Sequence, residues 1–144
     1  MQPILHLSIP VRDMGEARDF YVHTLGCQAA RARPDFTDIW FFGMQVTLQD
    51  RPDEATGLVP GGSRHFGVTL GRDDFDAAVA RLEEADVAWL APVSTDGSGT
   101  ESEQTKCKIA DPSGNVIEFK TYRDVDVALE ISPHSYPEAF AHGN

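Results

Sequence analysis

The chain has 144 residues, 41% hydrophobic and 24% charged, which is the composition of one ordinary folded domain and excludes two large ones. Twelve Lys and Arg against 23 Asp and Glu give a formal charge of −11, so neither nucleic acid nor an anionic membrane is an expected partner. No stretch approaches the roughly 18 to 20 consecutive apolar residues of a membrane helix, and the start MQPILHLSIPVRD lacks the features of a secretion signal, so the expected compartment is the cytoplasm.

Residues 4–9 alternate as a strand that Pro10 ends. Asp13 followed by Glu16 makes a capping-box start for a helix whose apolar face holds Ala17, Phe20, Tyr21 and Leu25, stopped by Gly26. Three short strands are predicted next, at 28–33, 38–42 and 45–49, with turns at Pro34-Asp35 and Gly43-Met44. Residues 50–63, rich in Pro, Gly and charge, read as a linker. The pattern then restarts with a strand at 65–70 and a helix that Asp73 caps, its buried stripe being Phe75, Ala78, Val79 and Leu82. Further strands fall at 87–90, 105–110 and 115–121, the last two joined by a tight Asp111-Pro112-Ser113-Gly114 turn. Strand, helix and three strands thus occur twice, with a period of about 60 residues.

The polar run 94–103 is expected to be a mobile loop and a candidate lid. The tail, residues 123–144, carries alternating Val125, Val127 and Leu129 and reads as an extended arm with a disordered end, able to pack on a second subunit. Cys27 and Cys107 have no metal-site or disulfide spacing and are expected to be reduced, Cys107 within a strand.

Strand side chains alternate faces, which sorts the candidate functional residues. His6 lies with Ile4 and Ser8, opposite apolar Leu5, Leu7 and Ile9. Gln45, Thr47 and Gln49 share a face, as do His65, Gly67 and Thr69, and as do Val116, Glu118 and Lys120. Four strands, two from each half, therefore offer a polar face that sheet curvature can gather into a cleft. Two imidazoles and one carboxylate suit a divalent first-row metal with open positions for substrate, and Gln49 can add an amide oxygen.

The segments HLSIPVRDMGEARDFYVHTLGC, WFFGMQVTLQ, RHFGVTL and DPSGNVIEFK occur in the order and spacing of the vicinal oxygen chelate superfamily, the glyoxalase, bleomycin resistance and extradiol dioxygenase group, which the chain resembles over residues 4–122. The resemblance implies an α+β fold of paired βαβββ modules, a curved, incomplete barrel sheet around a metal trough. Residues 1–122 then form one domain, with module 1 at 4–50, a linker at 51–63 and module 2 at 64–122. It also implies that His6, His65 and Glu118 are metal ligands, with Gln49 at the remaining position on the last strand of module 1.

Isomerases of this group generally carry a glutamate at that position, and a neutral glutamine cannot abstract a proton, although Glu118 remains available as a base. The set resembles the two-His, one-carboxylate triad of extradiol dioxygenases and the manganese site of fosfomycin-resistance thiol transferases. The expected function is therefore a dioxygenase-like oxidoreductase that chelates vicinal oxygens of a small substrate on Fe2+ or Mn2+, with Glu118 and Gln49 in the reaction. The alternatives are a lactoylglutathione lyase-like isomerase or lyase on Ni2+, Zn2+ or Mn2+, with Co2+ a further candidate metal, and a bleomycin-resistance-like small-molecule binding protein. Lys120 is a candidate contact to an anionic substrate oxygen. Trp40 and Phe42, with Phe36 nearby, either wall an aromatic pocket or fill the core. Lys106 and Lys108, on the face opposite Cys107, either supply positive potential in an acidic protein or are simply exposed, and His23, His134 and His142 are expected to be surface residues. Related proteins are often homodimers, and some build each site from two chains.

Overall fold

The computed structural model describes Met1 and residues 3–130, so His134, His142 and the expected disordered end of the arm lie outside the described residues. Strand β1 (His6–Val11) leads into helix α1 (Met14–Asp19). Half of the expected capping box forms: Asp13 accepts a hydrogen bond from the Glu16 N–H at 2.8 Å. Glu16 does not complete the box, because its carboxylate pairs instead with the Arg12 guanidinium at 2.6 and 2.9 Å. The helix then widens into a π-helical turn (Phe20–Thr24), closed by the Leu25 N–H to Phe20 carbonyl bond at 2.9 Å. Phe20 and Tyr21 are both buried as a result.

Strands β2 (Gln28–Arg33), β3 (Phe36–Phe41) and β4 (Met44–Asp50) complete a four-stranded sheet in the order β1-β4-β3-β2. The second module repeats it with β5 (Phe66–Thr69), helix α2 (Arg72–Glu84), β6 (Trp89–Asp96), β7 (Gln104–Ala110) and β8 (Val116–Tyr122), in the order β5-β8-β7-β6. In each sheet the first strand runs parallel to the last, and the other pairs are antiparallel. The fold is thus the expected α+β pair of βαβββ units with curved, unclosed sheets.

Three local expectations are corrected. Helix α2 begins at Arg72, with Gly71 at its cap and no capping side chain, so Asp73 is a first-turn residue. Residues 94–96 of the expected lid belong to β6, whose backbone pairs with β7 through Ser94, Thr95 and Asp96. The remainder is tied down: the Thr100 hydroxyl donates to the Gly97 carbonyl at 2.6 Å, the Gly99 N–H to Glu103 at 2.6 Å, and Arg123 to the Gly99 carbonyl at 3.2 Å. Residues Val125–Ala128 form a one-turn helix, α3, rather than an extended arm, because the Asp124 side chain accepts from the Val127 N–H and starts a turn.

One core joins both modules. Val11, Ile39, Phe41, Val46 and Leu48 of the first sheet pack in the same cluster as Cys107, Ile109, Ile117 and Phe119 of the second, with Ala17, Tyr21, Phe75 and Leu82 from the helical segments. Phe41 lies edge-on to Phe66, with ring centroids 5.3 Å apart, and 6.3 Å from Phe119. Both sheets therefore turn their apolar faces to a shared interior, and by alternation their polar faces point away from it.

The Asp111-Pro112-Ser113-Gly114 turn is also a clamp between modules. Asp111 accepts from the buried Tyr21 hydroxyl at 2.8 Å, while holding its own turn through the N–H groups of Ser113 and Asn115. Ser113 Oγ accepts from the Arg12 N–H at 2.9 Å, and the Asn115 amide donates to the Pro10 carbonyl at 3.0 Å. Gly114 sits at φ 87° with linker residues Gly57 and Leu58 packed where a Cβ would stand.

Candidate metal and substrate site

The register of the two parallel strand pairs fixes which side chains are equivalent. Ser8 pairs with Thr47 in the first sheet, and Gly67 pairs with Glu118 in the second. With His6 and His65 each two residues ahead of those partners, the counterpart of Glu118 is Thr47. Gln49 pairs with Pro10 and stands where Lys120 stands in module 2. Thr47 and Gln49 share a face, so alternation alone cannot separate them. The pairing sets Thr47 opposite Ser8 as Glu118 stands opposite Gly67, two residues before Gln49. The Gln49 amide donates to Ser8 Oγ at 3.0 Å on an exposed face.

In module 2 the structure brings His65 and Glu118 together. His65 lies just before β5, and its Nδ1 is 2.9 Å from the Ser63 carbonyl, an acceptor that requires the proton on Nδ1. Its Nε2 lies 3.9 Å from Glu118 Oε1. Glu118 is buried, 5% exposed. Burial pushes its pKa up, but the ammonium groups of Lys120 and Lys108, at 3.0 Å from Oε1 and 3.3 Å from Oε2, outweigh that and hold it below the usual carboxylate range. Gly67 is required beside it, because a Cβ there would collide with the Glu118 backbone carbonyl. His65, Gly67, Glu118 and Lys120 line a cavity of about 270 Å³, and His65 also borders a larger one of about 730 Å³ between β1 and the linker.

The three lysines of the chain all stand on this face. Lys106 is the register partner of Lys120, and Lys108 that of Glu118. The expectation that Lys106 and Lys108 are merely exposed does not hold: both are half-buried and paired, Lys106 with Asp96 at 2.8 Å.

In module 1, His6 is exposed at the start of β1 on the corresponding face. Among the described residues, no group of three His, Cys, Asp or Glu side chains comes together, so His6 does not join His65 and Glu118 within one chain. Trp40 is 38% exposed on the face of Gln45, its register partner, while Phe41 beside it is buried. Phe42 is not a strand residue: it occupies the β3–β4 turn at φ 47°, with its ring edge-on to Phe41 and Phe119. Core filling is therefore the role of Phe41, and Phe36 lies under the Arg31 guanidinium, 4.9 Å from its ring centroid.

Asp38 was not singled out from the sequence. It is the register partner of Thr47, 4% exposed, and accepts from Thr47 Oγ1 at 2.6 Å and from Arg31 Nε at 3.1 Å. Burial opposes its ionisation, but the hydrogen bonds of Thr47 and Gln45 and the Arg31 charge prevail and lower its pKa. An aspartate in the otherwise uncharged strand FTDIWF was the available signal.

The donor set tests well against a divalent ion. Two donors on one first-row ion at about 2.1 Å each are separated by at most about 4.2 Å, and the His65–Glu118 separation of 3.9 Å lies within that reach. An imidazole whose Nδ1–H is held by a carbonyl keeps Nε2 available as a metal ligand.

The fold and these residues define a protein of paired βαβββ modules with an imidazole and a buried carboxylate side by side in the second module. The family model described as Glyoxalase/Bleomycin resistance protein/Dioxygenase superfamily matches residues 3–119, and the chain belongs to that superfamily. A glyoxalase/bleomycin resistance protein/dioxygenase from Alicyclobacillus acidocaldarius is 35% identical, with a TM-score of 0.80, over 88% of this chain and 96% of that one. A genomically encoded fosfomycin resistance protein from Listeria monocytogenes shares the fold at 10% identity and a TM-score of 0.65, over 84% and 93% of the two chains. So does a lactoylglutathione lyase from Agrobacterium tumefaciens, at 16% and 0.61, over 83% and 92%. No curated protein matches the sequence.

Proposed function

We propose that the protein is a metal-dependent, dioxygenase-like enzyme acting on a small molecule with adjacent oxygens, and that each site is shared by two chains of a homodimer. The observation that carries the reading is the placement of His65 Nε2 3.9 Å from Oε1 of the buried Glu118, a spacing at which an imidazole nitrogen and a carboxylate oxygen can share one cation. A ferrous or manganous ion held there would chelate the two substrate oxygens and supply the one-electron chemistry of an oxygenase.

The chain's own residues do the rest. Ser63 fixes the His65 tautomer, and Glu118 supplies the negative charge. His6 of a second copy supplies the third ligand, since the polar faces of the two sheets point away from the common core and call for a partner sheet. Thr47, its proton committed to Asp38, presents only lone pairs beside His6 and takes the fourth position as a neutral acceptor. A neutral group there favours the oxygenase reading over proton abstraction between two carboxylates.

The test is elemental analysis of untagged protein purified anaerobically, followed by oxygen uptake with catechols and other vicinal oxygen donors. Stoichiometric Fe or Mn with substrate-dependent uptake supports the reading; Ni or Zn without uptake refutes the oxygenase assignment. Sharing between chains is tested by mixing His6→Ala with Glu118→Ala protein under dissociating conditions. Shared sites return about one quarter of the metal capacity, because half the dimers are mixed and each holds one intact site. Sites within one chain return none.

A further inference from the structure

We propose that the ligand of this trough carries a carboxylate, and that Lys108 and Lys120 form a latch on Glu118 that exchanges Glu118 for that carboxylate when a divalent ion binds. The proposal rests on the metal reading above and deepens it to a substrate class. The chain has three lysines, and all of them stand on one face of the second sheet, in a protein of net charge −11. Lys120 Nζ is 3.0 Å from Glu118 Oε1 and Lys108 Nζ is 3.3 Å from Oε2, so the two ammonium groups straddle a carboxylate, one on each oxygen. Glu118 thereby displays the geometry in which this pair recognises a carboxylate.

The charge balance gives the order of events. With Glu118 and Asp96 against Lys106, Lys108 and Lys120, the face carries one net positive charge. A dication drawn to His65 and Glu118 raises this to three and repels the two ammoniums from the oxygens they hold. Both are then half-buried cations without a partner beside a metal ion, and an incoming carboxylate restores their pairing. A neutral chelator leaves them unpaired, which is the basis for discrimination. The same competition weakens metal binding in the absence of ligand.

The experiment compares the full-length wild type with Lys108→Met/Lys120→Met by calorimetry, first with Zn2+ and then, on the Zn2+-loaded proteins, with oxalate, its neutral isostere oxamide, and inorganic phosphate. The expected results are Zn2+ binding about tenfold tighter in the double variant and oxalate binding about tenfold weaker, with oxamide alike for both. A second readout guards against misfolding: Zn2+ should raise the melting temperature of the variant more than that of the wild type. If the double variant does not fold, Lys108→Gln and Lys120→Gln are tested singly, with the same directions expected. Zn2+ uptake with unchanged Zn2+ and oxalate affinities overturns the latch. Phosphate preferred to oxalate overturns the carboxylate assignment. Absence of Zn2+ uptake by both proteins overturns the metal reading itself, and with it the exchange built on it.

Discussion

Tyr21→Phe isolates a single bond in the joint between the modules. Tyr21 is fully buried, and its hydroxyl donates to Asp111 Oδ2 at 2.8 Å, across 90 positions of sequence. Phenylalanine fills the same volume, so no cavity is left, and Asp111 keeps the N–H groups of Ser113 and Asn115 and the Asn115 amide, all within 2.9 Å. What is lost is a hydrogen bond to a carboxylate, which contributes about 1.5–3 kcal/mol. The expected loss is about 2 kcal/mol, or about 6–8 °C in Tm for a chain of this length. Asp111→Asn should cost more, because an amide presents a donor nitrogen where the carboxylate accepts from N–H groups. Urea denaturation of the two single variants and the double variant gives the coupling, expected at about 1–2 kcal/mol. A Tyr21→Phe effect within about 0.5 kcal/mol of zero, or strict additivity with Asp111→Asn, would refute the clamp between modules.

Gly67→Ala places a methyl group against the Glu118 carbonyl, and β5 must separate from β8 to admit it; a loss of at least about 2 kcal/mol and release of any bound metal are expected, measured by denaturation and metal content. Asp38 has its folded pKa lowered from 3.8, so its contribution to stability is full above that value and fades as the pH falls through the lower, folded one. Asp38→Asn should therefore flatten the acid limb of a stability-versus-pH curve below about pH 4, and an unchanged limb contradicts the assignment. Burial pushes the thiols of Cys27 and Cys107 up to about 11, so neither should react with a thiol reagent at pH 8 in the native protein, and both should react in urea.

The polar face of each sheet was legible because alternation in a strand is a local property: His6, His65 and Glu118 fall opposite unmistakably apolar neighbours. Choosing between Thr47 and Gln49 was not possible on that basis, since both lie on the same face and only the pairing of β4 with β1 counts the residues from the turn. The lid was misread for a related reason. Ser94, Thr95 and Asp96 bury little, but an edge strand is held by backbone hydrogen bonds to β7, and composition does not register those. Lys106 and Lys108 read as solvated residues and Asp38 drew no notice, because their partners come from other strands, at Asp96, Glu118 and Thr47.

By itself the sequence determined the duplicated strand-helix-strand order and the polar face, which follow from short-range periodicity and turn chemistry, while the family and its candidate imidazoles and carboxylate came from the resemblance of four motifs, DPSGNVIEFK above all. Only the tertiary structure decided that DPSGN clamps module 1 through Tyr21, Arg12 and Pro10, that Thr47 is the counterpart of Glu118, that two lysines straddle that carboxylate, and that His6 stands apart from His65 within one chain. Each of these depends on which strands lie side by side and in what register. Core packing and hydrogen-bond geometry across the whole domain set that register, and no local stretch of sequence encodes it.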